Sequence, residues 1–221
     1  HMEAVHPDKK VHFIVQEHMQ GQSQAVYLAK DLLDGPVLVA FSDTLIETDL
    51  SFISDETADG VAWVKPMDDP RRFGVVETNK DGYAVKLIEK PSDITNNLVV
   101  VGFYYFRDGL ELVSAIEEQI KRHTSLKGEY FLADAINIML ERKSRIRVKQ
   151  TEIWLDAGIP ESLLETNRYL LDHGRCSCEP VEVQQGVTII PPVSMPAGTT
   201  LKSAVIGPHV TLGEGCNLEN V

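Results

Sequence analysis

Val37-Leu38-Val39-Ala40-Phe41-Ser42-Asp43 is a continuous apolar run that halts on a hydroxyl and a carboxylate. A run of this length without alternation predicts a strand of the buried type in an open α/β sheet. The acid then falls at the carboxyl edge of the sheet, where open α/β folds bind ligands. Ile153-Trp154-Leu155-Asp156-Ala157-Gly158 repeats the pattern, with a second aspartate where an apolar stretch stops. Between them Glu89-Lys90-Pro91 closes another alternating segment. Two carboxylates able to share a divalent cation and a lysine able to hold a phosphate point to phosphoryl-type chemistry.

Composition sets the bounds. A chain of 221 residues, 43% of them hydrophobic, can bury a substantial core, as one large domain plus a small appendage. No apolar run approaches the roughly 20 residues of a membrane helix. The formal charge of -12 argues against nucleic acid or an anionic membrane as partner, since both require clustered Lys and Arg. Cys176, Cys178 and Cys216 cannot pair completely, and Cys-Ser-Cys lacks the spacing of a zinc knuckle, so a reduced cytoplasmic state is expected. His6, His12, His18, His123, His173 and His209 lack metal-ligand spacing. His1-Met2 reads as a remnant of tag removal.

Outward from Val37, periodicity predicts strands over 11–16, 37–41, 61–66, 73–78, 83–88, 98–106 and 145–153. Helices are predicted over 22–33, 109–122, 130–142 and 160–173, the last with Pro160 in its first turn and Gly174 past its end. Asn79-Lys80-Asp81-Gly82 supplies a hairpin turn. Strands alternating with helices, plus inserted antiparallel hairpins, make a mixed α/β sheet.

After Gly174 the texture changes. Ile206-Gly207-Pro208, Leu212-Gly213-Glu214 and Leu218-Glu219-Asn220 recur with a period of six. An aliphatic anchor every sixth residue predicts a parallel β-helix, and an irregular Gly/Pro-rich tail is the alternative. At the other end, no Gly-rich phosphate loop occurs between Glu3 and Gln16, where a nucleotide-binding domain would place one. Either the fold is of another kind or the chain begins inside a domain.

The order Gln16…Gly21…Ala25, Ser42-Asp43, Phe73-Gly74-Val75-Val76, Glu89-Lys90-Pro91, Gly102-Phe103-Tyr104, Gly128-Glu129-Tyr130, then 154–161 (Trp-Leu-Asp-Ala-Gly-Ile-Pro-Glu) and hexapeptides resembles the sugar-1-phosphate nucleotidylyltransferases. Within them it is most similar to the glucose-1-phosphate thymidylyl- or uridylyltransferase-like and mannose-1-phosphate guanylyltransferase-like enzymes. The resemblance covers nearly the whole chain after about residue 11; each motif is weak alone, and their order carries the signal. It implies a Rossmann-like mixed-sheet nucleotidyltransferase domain over 3–174, incomplete because the family's Gly-x-Gly-Thr-Arg loop is absent. The start of a left-handed parallel β-helix would follow over 175–221. An engineered or proteolytic fragment, inactive by itself, is therefore expected.

The resemblance also implies roles. The family's reaction is attack by a sugar-1-phosphate oxygen on the α-phosphorus of an NTP, releasing pyrophosphate. Asp43 and Asp156 would hold Mg²⁺, and Lys90 would bind the sugar phosphate. Glu89 and Glu129 would accept sugar hydroxyls, Gly74 and Gly102 would let backbone approach the sugar, and Gln16 with Gly21 would face the nucleobase. Ser42-Asp43-Thr44 departs from the family's Gly-Asp-Asn, and Gln20-Gly21-Gln22-Ser23 from its usual base-reading sequence. Each position has a plainer reading. Asp43 could cap a helix or turn, and Asp156 could close a turn before Ala157-Gly158. Glu89-Lys90-Pro91 could be a surface turn, Glu129 a helix-start carboxylate, and either glycine a bulge. Trp154 is read as packing.

Three functions compete. The first is a Mg²⁺-dependent sugar nucleotidylyltransferase using an NTP and a sugar-1-phosphate, as a cytoplasmic homo-oligomer. The second is a non-catalytic regulatory or assembly subunit of the same fold. The third is a bifunctional nucleotidyl-/acyltransferase, for which His209 is the one candidate base; the Trp-x-Asp-x-Gly pattern fits the sugar-activating branch better than the N-acetylglucosamine uridylyltransferase branch.

Overall fold

Nine residues, Leu98–Phe106, form the central strand of the sheet in a computed structural model that describes residues 7–175 and 186–221. In chain order the elements before residue 175 are α1 (Gln22–Leu28), β1 (Val37–Ala40), β2 (Thr44–Glu47), β3 (Gly60–Pro66), β4 (Gly74–Thr78), β5 (Ala84–Glu89) and β6 (Leu98–Phe106). They continue with α2 (Gly109–Lys121), α3 (Leu132–Glu141), β7 (Ile146–Gln150), β8 (Ile153–Asp156) and α4 (Pro160–Asp172). The main sheet runs β5-β4-β6-β3-β7, with β1 also on β6. Only β3 and β7 run parallel; β1, β3 and β4 lie antiparallel to β6, and β5 antiparallel to β4.

Both sheet faces are covered, which explains why the strands read as near-continuous apolar runs. On one face Val64, Val100, Tyr104 and Phe106 pack with Leu112 and Ile116 of α2 and Leu132, Ile136 and Met139 of α3. On the other, Val61, Trp63, Val101 and Tyr105 pack with Phe52, Ile53, Phe103 and Trp154. Asp108 caps α2 by accepting the Leu110 N–H at 2.9 Å. A mature core of this kind gains about 1.5–3 kcal/mol for each large aliphatic or aromatic side chain it encloses.

Among the described residues, those up to Ser42 together with Ile46–Trp154 form one compact unit. Asp43–Leu45 and those from Leu155 to Val221 form a second. In the second unit six short strands follow α4: β9 (Val187–Ile189), β10 (Val193–Ser194), β11 (Thr200–Lys202), β12 (Ala204–Ile206), β13 (Val210–Thr211) and β14 (Asn217–Glu219). They pair in parallel, Val187 with Ala204, Val193 with Val210 and Thr200 with Asn217, always the same number of residues on. Leu201 lies beside Leu218 and Ile189 beside Ile206, in a small core with Met195 and Ala204. Cys176 and Cys178 lie outside the described residues, as does His6.

Several sequence expectations change. Residues 11–16 form no strand: no ladder lies beside them, and Phe13 and Val15 are largely exposed. The run from Val37 is not enclosed on all sides, because β1 pairs only with β6 and leaves Leu38 49% exposed. The helix expected over 22–33 stops at Leu28, where the Ala29 N–H bonds Val26 and the chain tightens into a 3₁₀ turn, Lys30–Leu32. The strand expected over 145–153 is two strands. It breaks at Thr151, whose hydroxyl donates to the Glu47 and Ile153 carbonyls as the chain leaves β3 and takes β2 as its partner.

Candidate functional site

Asp43 follows β1 by three residues and Asp156 is the last residue of β8. Their backbones are tied: the Ala157 N–H donates to the Asp43 carbonyl at 2.8 Å. The Gly158 N–H donates to Asp156 Oδ1 at 2.9 Å, closing the turn that an Asp two residues before a glycine can make. A Cβ on Gly158 would stand 3.0 Å from Asp156 Oδ1 and 3.3 Å from Asp43 Oδ2. The two carboxylates thus flank one small space, which only the missing side chain keeps open. The Thr166 hydroxyl donates to the Asp156 carbonyl at 3.0 Å and fixes the end of β8 on α4. No group of three His, Cys, Asp or Glu side chains converges among the described residues. A pair of hard carboxylates with the remaining positions left to water or phosphate suits a magnesium-sized cation rather than zinc.

In the first unit, Glu89 ends β5 directly across from Gly74 on β4. A Cβ on Gly74 would meet Glu89 Oε2 at 3.0 Å and Val100 Cγ2 at 3.0 Å, so glycine gives the carboxyl its room. Burial pushes Glu89 up to about 7, the charges of Asp134 and Glu129 add to this, and the Lys90 ammonium opposes it. Burial likewise raises Asp134. Tyr104, buried on β6, is raised by burial and then by the charge of Glu89. Lys90 has a left-handed backbone (φ 46°) immediately before Pro91. Such a conformation costs a lysine about 1–2 kcal/mol and persists where neighbours enforce it. Here the Lys90 N–H donates to the Phe73 carbonyl at 3.0 Å, and the ammonium lies 4.8 Å from the centre of the Phe131 ring.

Helix α3 sets the far wall of this corner. β5 is an edge strand, and at Leu87 its outward backbone groups face α3 instead of another strand. Asn137 satisfies both: its Oδ1 accepts the Leu87 N–H and its Nδ2 donates to the Leu87 carbonyl, each at 2.8 Å. Asp134 lies one helical turn before Asn137, and Glu89 two residues beyond Leu87 on the same strand face. Ahead of α3, Leu126 and Glu129 exchange two backbone hydrogen bonds of 3.0 Å around Lys127-Gly128. Both turn residues have positive φ, 54° and 84°, as a two-residue type I′ hairpin requires. Glu129 therefore sits on a tight turn, not in the helix.

Gln16 and Gly21 form a third locus. The Gln16 amide Nε2 donates to the Gly21 carbonyl at 3.1 Å and to Gln24 Oε1. Gly21 has φ 100°, and a Cβ there would lie 2.6 Å from the Tyr130 carbonyl oxygen and 2.7 Å from its nitrogen. The Tyr130 N–H donates to Gln20 and its carbonyl accepts from Ser23, so the start of α1 is laced to the Glu129–Phe131 loop. Gly102 (φ 72°) lies where the β3–β6 register shifts, and its carbonyl accepts the Phe41 N–H at 2.9 Å. It is a bulge glycine. Trp154 packs edge-on against Phe73 at 5.2 Å. His209 Nε2 and Asp172 Oδ1 are 2.8 Å apart, joining the coil to α4.

The sequence reading passed over Asp134 and Asn137. Their signal was a polar residue at each of two successive turns of an otherwise apolar helix, Leu132-Ala133-Asp134-Ala135-Ile136-Asn137-Ile138-Met139.

The family described as "Nucleotidyl transferase" matches residues 4–173. The bifunctional protein GlmU of Methanocaldococcus jannaschii is 36% identical over 168 residues, covering 76% of this chain and 39% of that protein. The glucose-1-phosphate thymidylyltransferase of Streptomyces griseus is 25% identical over 234 residues, covering 96% of this chain and 64% of that protein. A Bacillus anthracis crystal structure, described as a candidate glucose-1-phosphate thymidylyltransferase with sucrose bound, aligns with a TM-score of 0.61 at 24% identity. It covers 72% of this chain and 64% of the other, and its likeness is one of fold. The chain thus spans 39% of the length of the archaeal relatives it matches first.

Proposed function

Because the chain belongs to the nucleotidyl transferase family, we propose that it carries the metal- and sugar-phosphate-binding parts of a sugar-1-phosphate nucleotidylyltransferase. The observation that carries this reading is the pair of carboxylates, Asp43 and Asp156, facing one space beside Gly158. The reaction would join a sugar-1-phosphate oxygen to the α-phosphorus of an NTP while the bond to the β-phosphate oxygen breaks. An NDP-sugar and pyrophosphate result. Two polyanions must meet, so positioning and charge neutralisation supply most of the rate.

Asp43 and Asp156 would hold Mg²⁺, which would supply neutralisation of the phosphate charges. Lys90 binds the sugar phosphate as a compact cation, its strained backbone fixed by Phe73 and Pro91. Glu89 and Glu129 hold sugar hydroxyls, and Gly74 and Gly102 let the sugar lie close to backbone. Gln16 and Gly21 shape the edge met by the base, with Gln16 oriented through Gly21 and Gln24. The chain contains no Gly-x-Gly-Thr-Arg sequence. Without that triphosphate cradle, the 221-residue chain alone is proposed to turn over little.

The repeated parallel pairings favour the start of a left-handed β-helix over the tail, following a nucleotidyltransferase domain that ends near residue 174. Such coils are a natural surface for a homo-oligomer. Relatives described as bifunctional proteins leave room for a second reading, in which a longer protein also transfers an acyl group. No helix among the described residues is long and apolar enough to cross a membrane. The test is pyrophosphate release from NTP and sugar-1-phosphate panels by a longer form carrying the Gly-rich loop. Asp156→Ala and Lys90→Ala are each expected to abolish release; unchanged turnover in both would exclude the assignment.

A further inference from the structure

Helix α4 has little apolar packing of its own to hold it in place. Of its 13 residues only Thr166 and Leu171 are buried, while Leu163 and Leu164 stand 53% and 70% exposed. Yet Asp156 is tied to this helix, because the Thr166 hydroxyl donates to the Asp156 carbonyl at 3.0 Å. A helix that fixes a carboxylate must itself be fixed, and its polar side chains reach one short segment. Asn167, the residue after Thr166, donates from Nδ2 to the His209 carbonyl at 3.2 Å and accepts the Thr211 hydroxyl on Oδ1 at 2.6 Å. At the end of the helix, Asp172 Oδ1 lies 2.8 Å from His209 Nε2. All these ties meet residues 209–211, which lead into and form β13, paired in parallel with β10. His209 has a left-handed backbone (φ 61°), a conformation that persists where neighbours enforce it. Its N–H donates to the Pro192 carbonyl at 2.8 Å, so the residue that holds α4 is itself anchored just before β10.

We infer that the 209–211 segment, acting through α4, is a latch that sets Asp156 against Asp43, with Thr166, Asn167 and Thr211 as positioning residues. This rests on the proposed role of the two aspartates as ligands of the cation. Asp156 is held at three points: Thr166 takes its carbonyl, the Gly158 N–H takes Oδ1, and the Ala157 N–H ties the next residue to the Asp43 carbonyl. A pair of carboxylates binds a cation tightly when it is ordered before the ion arrives, since ordering on binding is subtracted from the affinity. Groups behind the ligands therefore govern affinity without touching the ion. Thr166 and Asn167 are neighbours within one hydrogen-bonded helix, so a shift at Asn167 is passed to Thr166 and from there to Asp156. Residues of the short parallel strands thus tune a cation site to which they contribute no ligand.

The test is Mn²⁺ binding by the 221-residue chain, read by electron paramagnetic resonance as loss of the free-ion signal and as the spectrum of the bound ion. Thr166→Val removes the hydroxyl at nearly constant shape. It is expected to weaken binding about tenfold and to alter the bound-ion spectrum, and Thr166→Ser is expected to restore both. Thr211→Val, at an exposed position, is expected to weaken binding about threefold. The double variant should bind no more weakly than Thr166→Val alone, because both changes cut one path. Wild-type affinity in either single valine variant, or two effects that simply add, would overturn the latch and leave the metal assignment standing. No binding by the wild type would overturn the latch together with the metal assignment. If Thr166→Val folds poorly, amide hydrogen exchange in Thr211→Val decides the matter. Faster exchange at Ala157 and Gly158 supports the latch, and unchanged exchange at both overturns it.

Discussion

Asp43 and Asp156 are held around a single glycine: the Gly158 N–H donates to Asp156 Oδ1, and a Cβ added at Gly158 would lie 3.0 Å from that oxygen and 3.3 Å from Asp43 Oδ2. One methyl group placed there would press on both acids at once. Gly158→Ala is therefore expected to leave the fold intact and to weaken divalent-cation binding about tenfold, the effect of crowding one ligand set by about 1.4 kcal/mol. Calorimetric titration with Mg²⁺ checks it. An affinity equal to that of the wild type would mean that the space beside Gly158 is not the cation's.

Asn137 gives a test of how the sugar-side corner is built. Asn137→Ala would strand the N–H and carbonyl of Leu87, which is buried on an edge strand. Each orphaned backbone group costs about 1–3 kcal/mol. Urea denaturation should show a loss in that range, and Asn137→Asp should be less harmful because one of the two bonds survives. A neutral Asn137→Ala would show that water replaces the clamp.

The pH dependence of stability has a defined sign. Glu89 holds its proton more tightly folded, at about 7, than unfolded, at its ordinary 4.5. The stabilisation is fully present below about pH 4.5 and is lost as pH rises towards 7, because the folded chain binds more protons in that window. Its ceiling is about 3 kcal/mol, less whatever solvent screening removes. Glu89→Gln should flatten this part of the curve in melting experiments between pH 4.5 and 7.5; a variant curve parallel to the wild type would contradict it.

Gly21 meets the Tyr130 backbone so closely that no side chain fits. Gly21→Ala is expected to detach the start of α1 from the Glu129–Phe131 loop, read as faster hydrogen exchange at Ser23 and Tyr130. Unchanged protection at both amides would show that the loop yields without loss of its bonds.

The parts of the fold legible in the sequence were those where one local rule dominates. The 98–106 strand carries a long apolar run covered on both faces, and α2 and α4 carry a cap or an N-terminal proline. Residues 11–16 alternate like a strand, yet have no partner ladder; pairing is a long-range fact that periodicity does not contain. The break at Thr151 was hidden for the same reason, since it marks a change of neighbour and not a change of propensity. Of the site, Asp43 and Asp156 are separated by more than a hundred residues; their places at the ends of two apolar runs linked them, and the resemblance supplied their roles. Asp134 was invisible because one acid on an apolar helix also reads as a first-turn carboxylate favoured by the macrodipole.

On the proposed function, a chain without a Gly-x-Gly-Thr-Arg sequence should bind more than it catalyses. Steady-state assays of the purified 221-residue protein with any NTP and sugar-1-phosphate are expected to give little or no pyrophosphate. Robust turnover would show that another segment supplies the cradle.

The most direct measurement is Mn²⁺ binding by electron paramagnetic resonance, with Mn²⁺ standing for Mg²⁺. One bound ion per chain is expected in the wild type and in Glu89→Gln, and loss of that ion in both Asp43→Asn and Asp156→Asn. Binding in the two aspartate variants that matches the wild type would contradict the metal site and the chemistry built on it.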